Sequence, residues 1–177
     1  LVFGIFIFFL SIYLLIQIPI FQTWAAQRVT NFLSKEMHTT VQIERLSIAF
    51  FDQLILEEFY VEDLKGDTLM YSHELKANFN TNLLKLLQGN LEIDELSLQN
   101  ARFNLRRAEK EYANNFQFIL DYFQRDSSIM DPQPKPKKPF YLNIKELYLN
   151  DVAFDNRDEL RGQHFQTYMR RGVVIFK

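Results

Sequence analysis

The side chains that could perform acid–base or metal chemistry are few and scattered. The chain contains three histidines, His38, His73 and His164, and no cysteine. None of the histidines belongs to an H-x-x-x-H motif, and adjacent strand residues such as His73 and Glu74 point to opposite faces. The sequence therefore predicts no catalytic residue, no metal site and no other cofactor.

Two carboxylate pairs, Glu57-Glu58 and Asp94-Glu95, have the residue types of a general acid and base. Both pairs lie between apolar residues of predicted strands, where a solvated polar face explains them. The chain has only five glycines and no phosphate-binding glycine loop. Its net charge of −2 excludes a strongly basic nucleic-acid surface. These observations favour a binding or structural protein, with no nucleic-acid partner, over an enzyme.

The strongest pattern in the chain is a repeated strand. Residues 91–106 and 142–157 are identical at seven of sixteen aligned positions, at an offset of 51 residues. A weaker copy lies at 41–48, and all three copies have apolar residues at i, i+2, i+5 and i+7. A repeated unit of this length indicates an elongated, stacked architecture.

The spacing of those apolar residues departs from strict alternation once in each copy. A β-bulge adds one residue and restores the facing of the later side chains. The pattern therefore predicts bulges near Glu44-Arg45, Asp94-Glu95 and Lys145-Glu146, and such bulges would curl a sheet into a groove.

The remaining elements follow from turn signals and periodicity. We expect an antiparallel meander with helices inserted between hairpins, each repeat forming two strands joined by a turn. The predicted strands cover about 41–50, 53–63, 68–80, 91–99, 101–107, 140–150, 152–157 and 172–177, and the inserted helices about 82–88 and 109–125. A turn is predicted at 63–67, with Gly66 at a positive-φ position.

The N-terminal segment predicts a membrane anchor, because no charged residue occurs between Leu1 and Gln27. Trp24 and Arg28 would mark the membrane interface. The helix is expected to continue as an amphipathic segment to about Met37. Its apolar stripe would pack on the first strands or lie on the membrane surface.

These features divide the chain into a transmembrane anchor at 1–20, an amphipathic helix at 21–37 and a first β-groove segment at 38–125. A Pro/Lys-rich linker at 126–139 and a second β-groove segment at 140–177 follow. The apolar start of the sequence and the strand at its end predict a fragment of a longer protein.

One apolar strand face remains as the candidate site. It is either an ordinary sheet core covered by helices or an open groove that receives acyl chains, and the pattern alone leaves both open. The lining residues of such a groove would be Ile43, Leu46, Ile48, Leu54, Leu56, Leu91, Ile93, Leu96, Leu98, Phe103, Leu142, Ile144, Leu147, Leu149 and Phe154.

Three segments together resemble the N-terminal region of the TamB/AsmA-like family of envelope proteins. They are the anchor at 1–20 running into 21–36, VEDLKGDTLMYSHELKANFN at 61–80, and GNLEIDELSLQNARFNL at 89–105. The resemblance implies a membrane-anchored α+β fold, with one transmembrane helix followed by an antiparallel, curled, β-taco-like groove with short inserted helices.

The same resemblance implies a location in a diderm bacterium, single-pass in the inner membrane with the bulk of the chain in the periplasm. It implies phospholipid transport between the inner and outer membranes, in support of outer-membrane biogenesis. An outer-membrane barrel of the Omp85 class is the implied protein partner. The alternative is a scaffold subunit of an envelope translocation or assembly complex, with a filled sheet and a bound partner protein.

Overall fold

A computed structural model of the chain describes residues 3–5, 7–8, 11, 19–49, 52–79, 90–124 and 141–176. The strands of this part of the chain form one seven-stranded sheet. Helix α1 spans Pro19–Met37 and helix α2 spans Gln117–Gln124. The strands are β1 (Val41–Gln42), β2 (Arg45–Ala49), β3 (Gln53–Glu62), β4 (Thr68–Phe79), β5 (Asn90–Arg107), β6 (Tyr141–Asp158) and β7 (Gln163–Ile175).

The sheet is open, with β1 and β2 at one edge and β7 at the other. Its order is β1-β3-β4-β5-β6-β7, and β2 also pairs with β3. All neighbouring strands are antiparallel except β5 and β6. The sheet therefore has two unclosed edges among the described strands.

Helix α1 ends at Met37, as the sequence predicts, and local hydrogen bonds hold the chain that leaves it. His38 has a φ of 55°, which turns the backbone away from the helix. The Ser34 hydroxyl accepts a hydrogen bond from the Val41 amide at 2.9 Å. The Thr39 hydroxyl contacts the carbonyls of Glu62 and Asp63 at 3.0 Å. The start of β1 is thus fixed against the end of β3.

The predicted turn at 63–67 is confirmed. The Asp63 carboxylate accepts hydrogen bonds from the amides of Lys65 and Asp67 at 2.9 and 3.0 Å. Gly66 has a φ of 84°, a conformation that residues with a Cβ rarely adopt. This turn joins β3 to β4 in an antiparallel hairpin.

The two strong repeats lie side by side as β5 and β6, in parallel and in register. Every Cα pair, from Asn90 with Tyr141 to Arg107 with Asp158, keeps the offset of 51 residues. The predicted antiparallel hairpin within each repeat is therefore wrong, because 90–107 and 141–158 are each one continuous strand. The positions taken as turns lie within the strands.

In-register pairing places like residues together, and two differences between the copies make ion pairs. Lys145 contacts Asp94 at 2.5 Å. Arg107 forms a two-point ion pair with Asp158, with its Nε 2.9 Å from Asp158 Oδ1. Both pairs join residues that are 51 positions apart, so charge complementarity supports the parallel register.

Three non-glycine residues within the strands have positive φ and lie in one row across the sheet. They are Glu58 in β3, Asn100 in β5 and Asp151 in β6, with φ of 53°, 49° and 54°. The Cα pairs before and after each of these residues keep the same register with the neighbouring strand. Each residue reverses the alternation of facing, so Leu98 and Ala101 are both buried. We call these three residues the positive-φ row.

The bulge predictions have mixed outcomes. The register between β4 and β5 shifts where Phe79 pairs with Ile93 and Asn78 with Glu95, which leaves Asp94 as the extra residue. The bulge near Asp94-Glu95 is therefore confirmed. No register shift separates β1 from β2 along β3, so the one near Glu44-Arg45 is wrong. In the β5–β6 pair, Asp94 and Lys145 are both skipped and the offset of 51 residues is unchanged. The bulge predicted near Lys145-Glu146 therefore does not appear in this pairing.

The predicted membrane-anchored fold and its location require correction. No helix among the described residues is long and apolar enough to cross a bilayer. Helix α1 carries Arg28, Lys35 and Glu36, and charges within a span are costly. Most of the predicted anchor at 1–20 lies outside the described residues. The single-pass inner-membrane location with a periplasmic bulk is therefore not upheld.

The remaining fold-class prediction also differs from the structure. The sheet is mixed and not antiparallel throughout, because β5 and β6 are parallel. The predicted helix at 109–125 is shorter, since α2 begins at Gln117. The Asn115 side chain fixes the preceding loop by accepting from the Arg106 amide at 2.8 Å and donating to the Asn104 carbonyl at 3.0 Å. The predicted helix at 82–88 and linker at 126–139 lie outside the described residues.

Candidate functional site: the apolar face of the sheet

One face of the sheet is apolar from β3 to β7. Cα partners on adjacent strands point to the same face, so the strand register arranges these side chains in transverse rows. The first row is Val61, Met70, Phe103 and Phe154; the second is Leu56, Leu75, Leu98 and Leu149; the third is Leu54, Ala77, Leu96 and Leu147. The face is therefore continuous in two directions.

The centre of this face is buried by side chains of the sheet itself. Leu98, Ala101, Leu149 and Val152 form a cluster, and Val152 is 0% exposed. The larger side chains packed around the cluster all belong to β4–β7: Met70, Leu75, Phe103, Leu147, Phe154 and Met169. No residue of α1 or α2 belongs to this cluster as described. The centre of this face is therefore shielded by neighbouring side chains of the same face.

The helices cover the other end of the face. A second cluster of Val41, Val61 and Leu69 packs against Leu33 and Met37 of α1 and against Phe118 and Ile119 of α2. The sequence left open a covered core and an open groove. In the described residues, the helices pack at the β1–β3 end and the β4–β7 cluster contains strand side chains alone.

The sequence-predicted lining residues mostly meet on this face. Phe103 and Phe154 stack with ring centroids 5.0 Å apart and planes 7° apart. Ile93 pairs with Ile144, while Leu46 and Ile48 pair with Leu56 and Leu54. Ile43 lies between β1 and β2 and is buried. Leu91 and Leu142 are backbone partners, and their side chains lie outside the description.

The predicted membrane-interface residues lie on α1, away from this face. Trp24 is 58% exposed, and its ring centroid is 5.6 Å from that of Phe21. Arg28 is exposed on the next turn of the helix. The structure does not bring either residue together with the lining residues of the sheet.

Several residues of the face were missed by the sequence analysis. Ala101, Val152 and Leu75 belong to the central cluster or pack against it. Gly172 pairs with Leu149, and Met169 lies over it so closely that an added Cβ would be 2.1 Å from the Met169 Sδ. The i, i+3 spacing from Leu98 to Ala101 and from Leu149 to Val152 was the available signal.

The opposite face is polar and contains two equivalent hydrogen bonds. The Tyr71 hydroxyl donates to Glu58 at 2.6 Å, and the Tyr168 hydroxyl donates to Asp151 at 2.6 Å. His73 also contacts Glu58 at 2.6 Å. The hydrogen bonds from Tyr71 and His73 lower the pKa of Glu58, and the carboxylate raises the pKa of Tyr71.

A third carboxylate on the polar face is held strongly in its charged form. Asp155 accepts hydrogen bonds from Gln166 at 2.9 Å and from Arg157 at 3.3 Å, and contacts His164 at 2.9 Å. These contacts, Gln166 first, lower the pKa of Asp155 to about 2. The carboxylate is therefore an ionised structural group at neutral pH.

Within the described part of the chain, no group of three or more histidine, aspartate or glutamate side chains is placed to hold a metal ion. Two histidines contact a carboxylate, His73 and His164. Their side chains are about half exposed, and they lie in different hairpins. The apolar face, which crosses several strands, is therefore the candidate functional site.

The fold and this face define a protein with an open, mixed β-sheet and one continuous apolar surface. Comparison of the chain with protein-family models, with curated proteins and with solved structures found no match.

Proposed function

We propose that the apolar face binds the acyl chains of phospholipid and that the protein is a lipid carrier. The observation that carries this proposal is the cluster of Leu98, Ala101, Leu149 and Val152, whose packing partners among the described residues are strand side chains. An acyl chain needs a long apolar surface with few polar atoms, and the rows from β3 to β6 supply one. Transport between two membranes, which the family resemblance implies, stays a prediction.

The rows would let a lipid move with little change in free energy. Each buried methylene contributes about 0.8 kcal/mol, so a gap in the lining would act as a barrier. The parallel repeats place equivalent side chains beside one another, such as Leu96 with Leu147 and Leu98 with Leu149. A chain crossing from β5 to β6 would exchange one contact for a similar one.

The test is lipid binding by variants with a charge on the face. Leu96 and Leu147 are partly buried Cα partners at the margin of the central cluster, so a glutamate there need not disrupt its centre. Leu96→Glu and Leu147→Glu should each lower the affinity for a fluorescent phospholipid at least about tenfold, because an unpaired charge in an apolar site is costly.

The matched control is Ser97→Glu, which adds the same charge to the same strand on the opposite face. Ser97 pairs with Lys76 and Tyr148. This variant should bind phospholipid like the unmodified chain, and circular dichroism should show that all three variants fold. Equal binding by Leu96→Glu, Leu147→Glu and Ser97→Glu would exclude the face as the lipid site.

A scaffold function is the second candidate, and the β7 edge favours it. Phe165, Val173 and Ile175 on this edge strand are each more than half exposed. An exposed strand edge with apolar side chains is a template for pairing with another strand. Solvent extraction and mass spectrometry of the purified chain separate the two functions, because a scaffold would contain no stoichiometric phospholipid.

A further inference from the structure

The polar face of the sheet contains a shallow basin of about 610 Å³. One transverse row of Cα partners crosses its floor: Tyr60, Tyr71, Arg102, Ala153 and Tyr168. All five residues line the basin. Ala153 is the only small side chain of the row, so it leaves a gap between the Arg102 and Tyr168 side chains. The basin volume is within the usual range for small-molecule sites.

Arg102 supplies unused hydrogen-bond donors to this basin. Arg102 is an exposed residue, and within the described part of the chain its guanidinium forms no hydrogen bond or ion pair. This differs from Arg106 and Arg107 on the same strand, which pair with Asp67 and Asp158. A guanidinium presents several N–H groups in a fixed planar arrangement, suited to two neighbouring oxygens.

Acceptors lie beside Arg102 in fixed positions. Asn104 donates its amide to the Thr68 carbonyl at 2.9 Å, which leaves the Asn104 Oδ1 as an acceptor. The Asp151 Oδ1 accepts from Tyr168, which leaves the Oδ2. Tyr71 and Tyr168 already donate their hydroxyl protons to carboxylates, so their oxygens can only accept.

We propose that this basin binds a neutral saccharide. A pyranose ring has an apolar C–H face, which fits against a tyrosine ring, and a rim of vicinal hydroxyls that both donate and accept. Arg102 donates to two of these oxygens, while Asn104 and Asp151 accept from hydroxyl groups. An anion is disfavoured because the carboxylates of Asp151 and Asp155 line this basin and the adjoining one.

The proposed saccharide site does not depend on lipid binding. The basin and the apolar surface are on opposite faces of the same strands. For example, Arg102 in the basin is next in sequence to Phe103 in the apolar row. A variant at Arg102 therefore leaves the lining of the apolar face unchanged.

The experiment is a glycan array of neutral gluco-, galacto-, manno- and N-acetylhexosamine oligosaccharides together with uronate-containing ones, probed with the full chain. A neutral oligosaccharide that binds is then titrated by calorimetry. Arg102→Gln should weaken its binding at least tenfold, and Ala153→Leu, which fills the gap, should do the same. Arg106→Gln is the matched control and should bind like the unmodified chain.

Several outcomes would overturn the proposal. They are binding of uronate-containing oligosaccharides alone, no binding to any spotted glycan, or equal affinity of Arg102→Gln and Arg106→Gln for the neutral oligosaccharide. Circular dichroism of both arginine variants establishes that a loss of binding does not reflect unfolding. If Ala153→Leu does not fold, the comparison of the two arginine variants decides alone.

Discussion

The Tyr168 hydroxyl donates a hydrogen bond of 2.6 Å to Asp151 across the β6–β7 pair, and Tyr71 makes the same bond to Glu58 across β3–β4. Each carboxylate belongs to a residue of the positive-φ row. Each tyrosine is the Cα partner of the residue two positions beyond that carboxylate, Ala153 and Tyr60 respectively. Two separate hairpins thus use the same contact to hold an uncommon backbone conformation.

Removing one of these hydroxyls tests that stabilising role. Tyr71→Phe should lower the free energy of unfolding by about 1 kcal/mol at neutral pH, because a hydrogen bond to the Glu58 carboxylate is lost. It should also raise the pKa of Glu58, which Tyr71 lowers most. Urea denaturation and carboxyl NMR titration measure the two effects. Tyr112→Phe is the control, since Tyr112 is 94% exposed.

The sign of the pH dependence follows from the lowered pKa of Glu58. The stabilisation is present above the ordinary glutamate pKa of 4.5 and is lost as pH falls through the lower value of the folded protein. The difference in stability between Tyr71→Phe and the unmodified chain should therefore shrink in acid. A difference that is constant from neutral pH into acid would contradict the assigned hydrogen bond.

The positive-φ row can be tested at Asn100. This residue has a φ of 49°, which a β-branched side chain disfavours and glycine accepts freely. Asn100→Val should destabilise the fold by about 1–2 kcal/mol, whereas Asn100→Gly should change stability little. Gln99→Val, at the adjacent exposed strand position, is the control. Equal stability of Asn100→Val and Gln99→Val would mean that the backbone at Asn100 is not constrained.

Gly172 and Met169 form a pair suited to a double-mutant cycle. A Cβ at Gly172 would be 2.1 Å from the Met169 Sδ, so the methionine would have to move. Gly172→Ala should therefore cost about 1 kcal/mol of stability, as overpacking commonly does. In a Met169→Ala background the same change should cost almost nothing. Additive effects in thermal unfolding would show that the two residues do not meet.

Asp155 should contribute to acid stability. Its pKa is about 2 in the folded protein, below the ordinary value of 3.8, because Gln166, Arg157 and His164 bind the charged form. The stabilisation is present above pH 3.8 and is lost as pH falls towards 2. Asp155→Asn should remove that part of the pH dependence in melting temperatures recorded from pH 5 to pH 2. Asp52→Asn, an exposed carboxylate outside this cluster, should retain it.

Local signals in the sequence predicted much of the local structure. The end of α1 at Met37, the turn at Gly66 and the bulge at Asp94 follow from periodicity and turn chemistry, which depend on neighbouring residues alone. The apolar face was also predicted, since strand alternation identifies which residues share a face. The lipid function and the family resemblance stay predictions.

Long-range features were not predictable in the same way. The parallel pairing of β5 with β6 depends on contacts between residues 51 positions apart, such as Arg107 with Asp158. Asn100 and Asp151 have the residue types of a turn, yet the surrounding sheet holds them inside strands. The apolar segment at 1–20 suggested a spanning anchor, but most of that segment lies outside the described residues and no described helix is long and apolar enough to cross a bilayer.

The parallel pairing of β5 with β6 gives a structural role to two of the differences between the repeats. Perfect copies in register would place aspartate against aspartate at positions 94 and 145, and arginine against arginine at 107 and 158. The chain instead has Asp94 with Lys145 and Arg107 with Asp158, while apolar pairs such as Leu96 with Leu147 and Leu98 with Leu149 remain alike. These two ion pairs require unlike strands, so they favour the pairing of β5 with β6 over the parallel pairing of either strand with a second copy of itself.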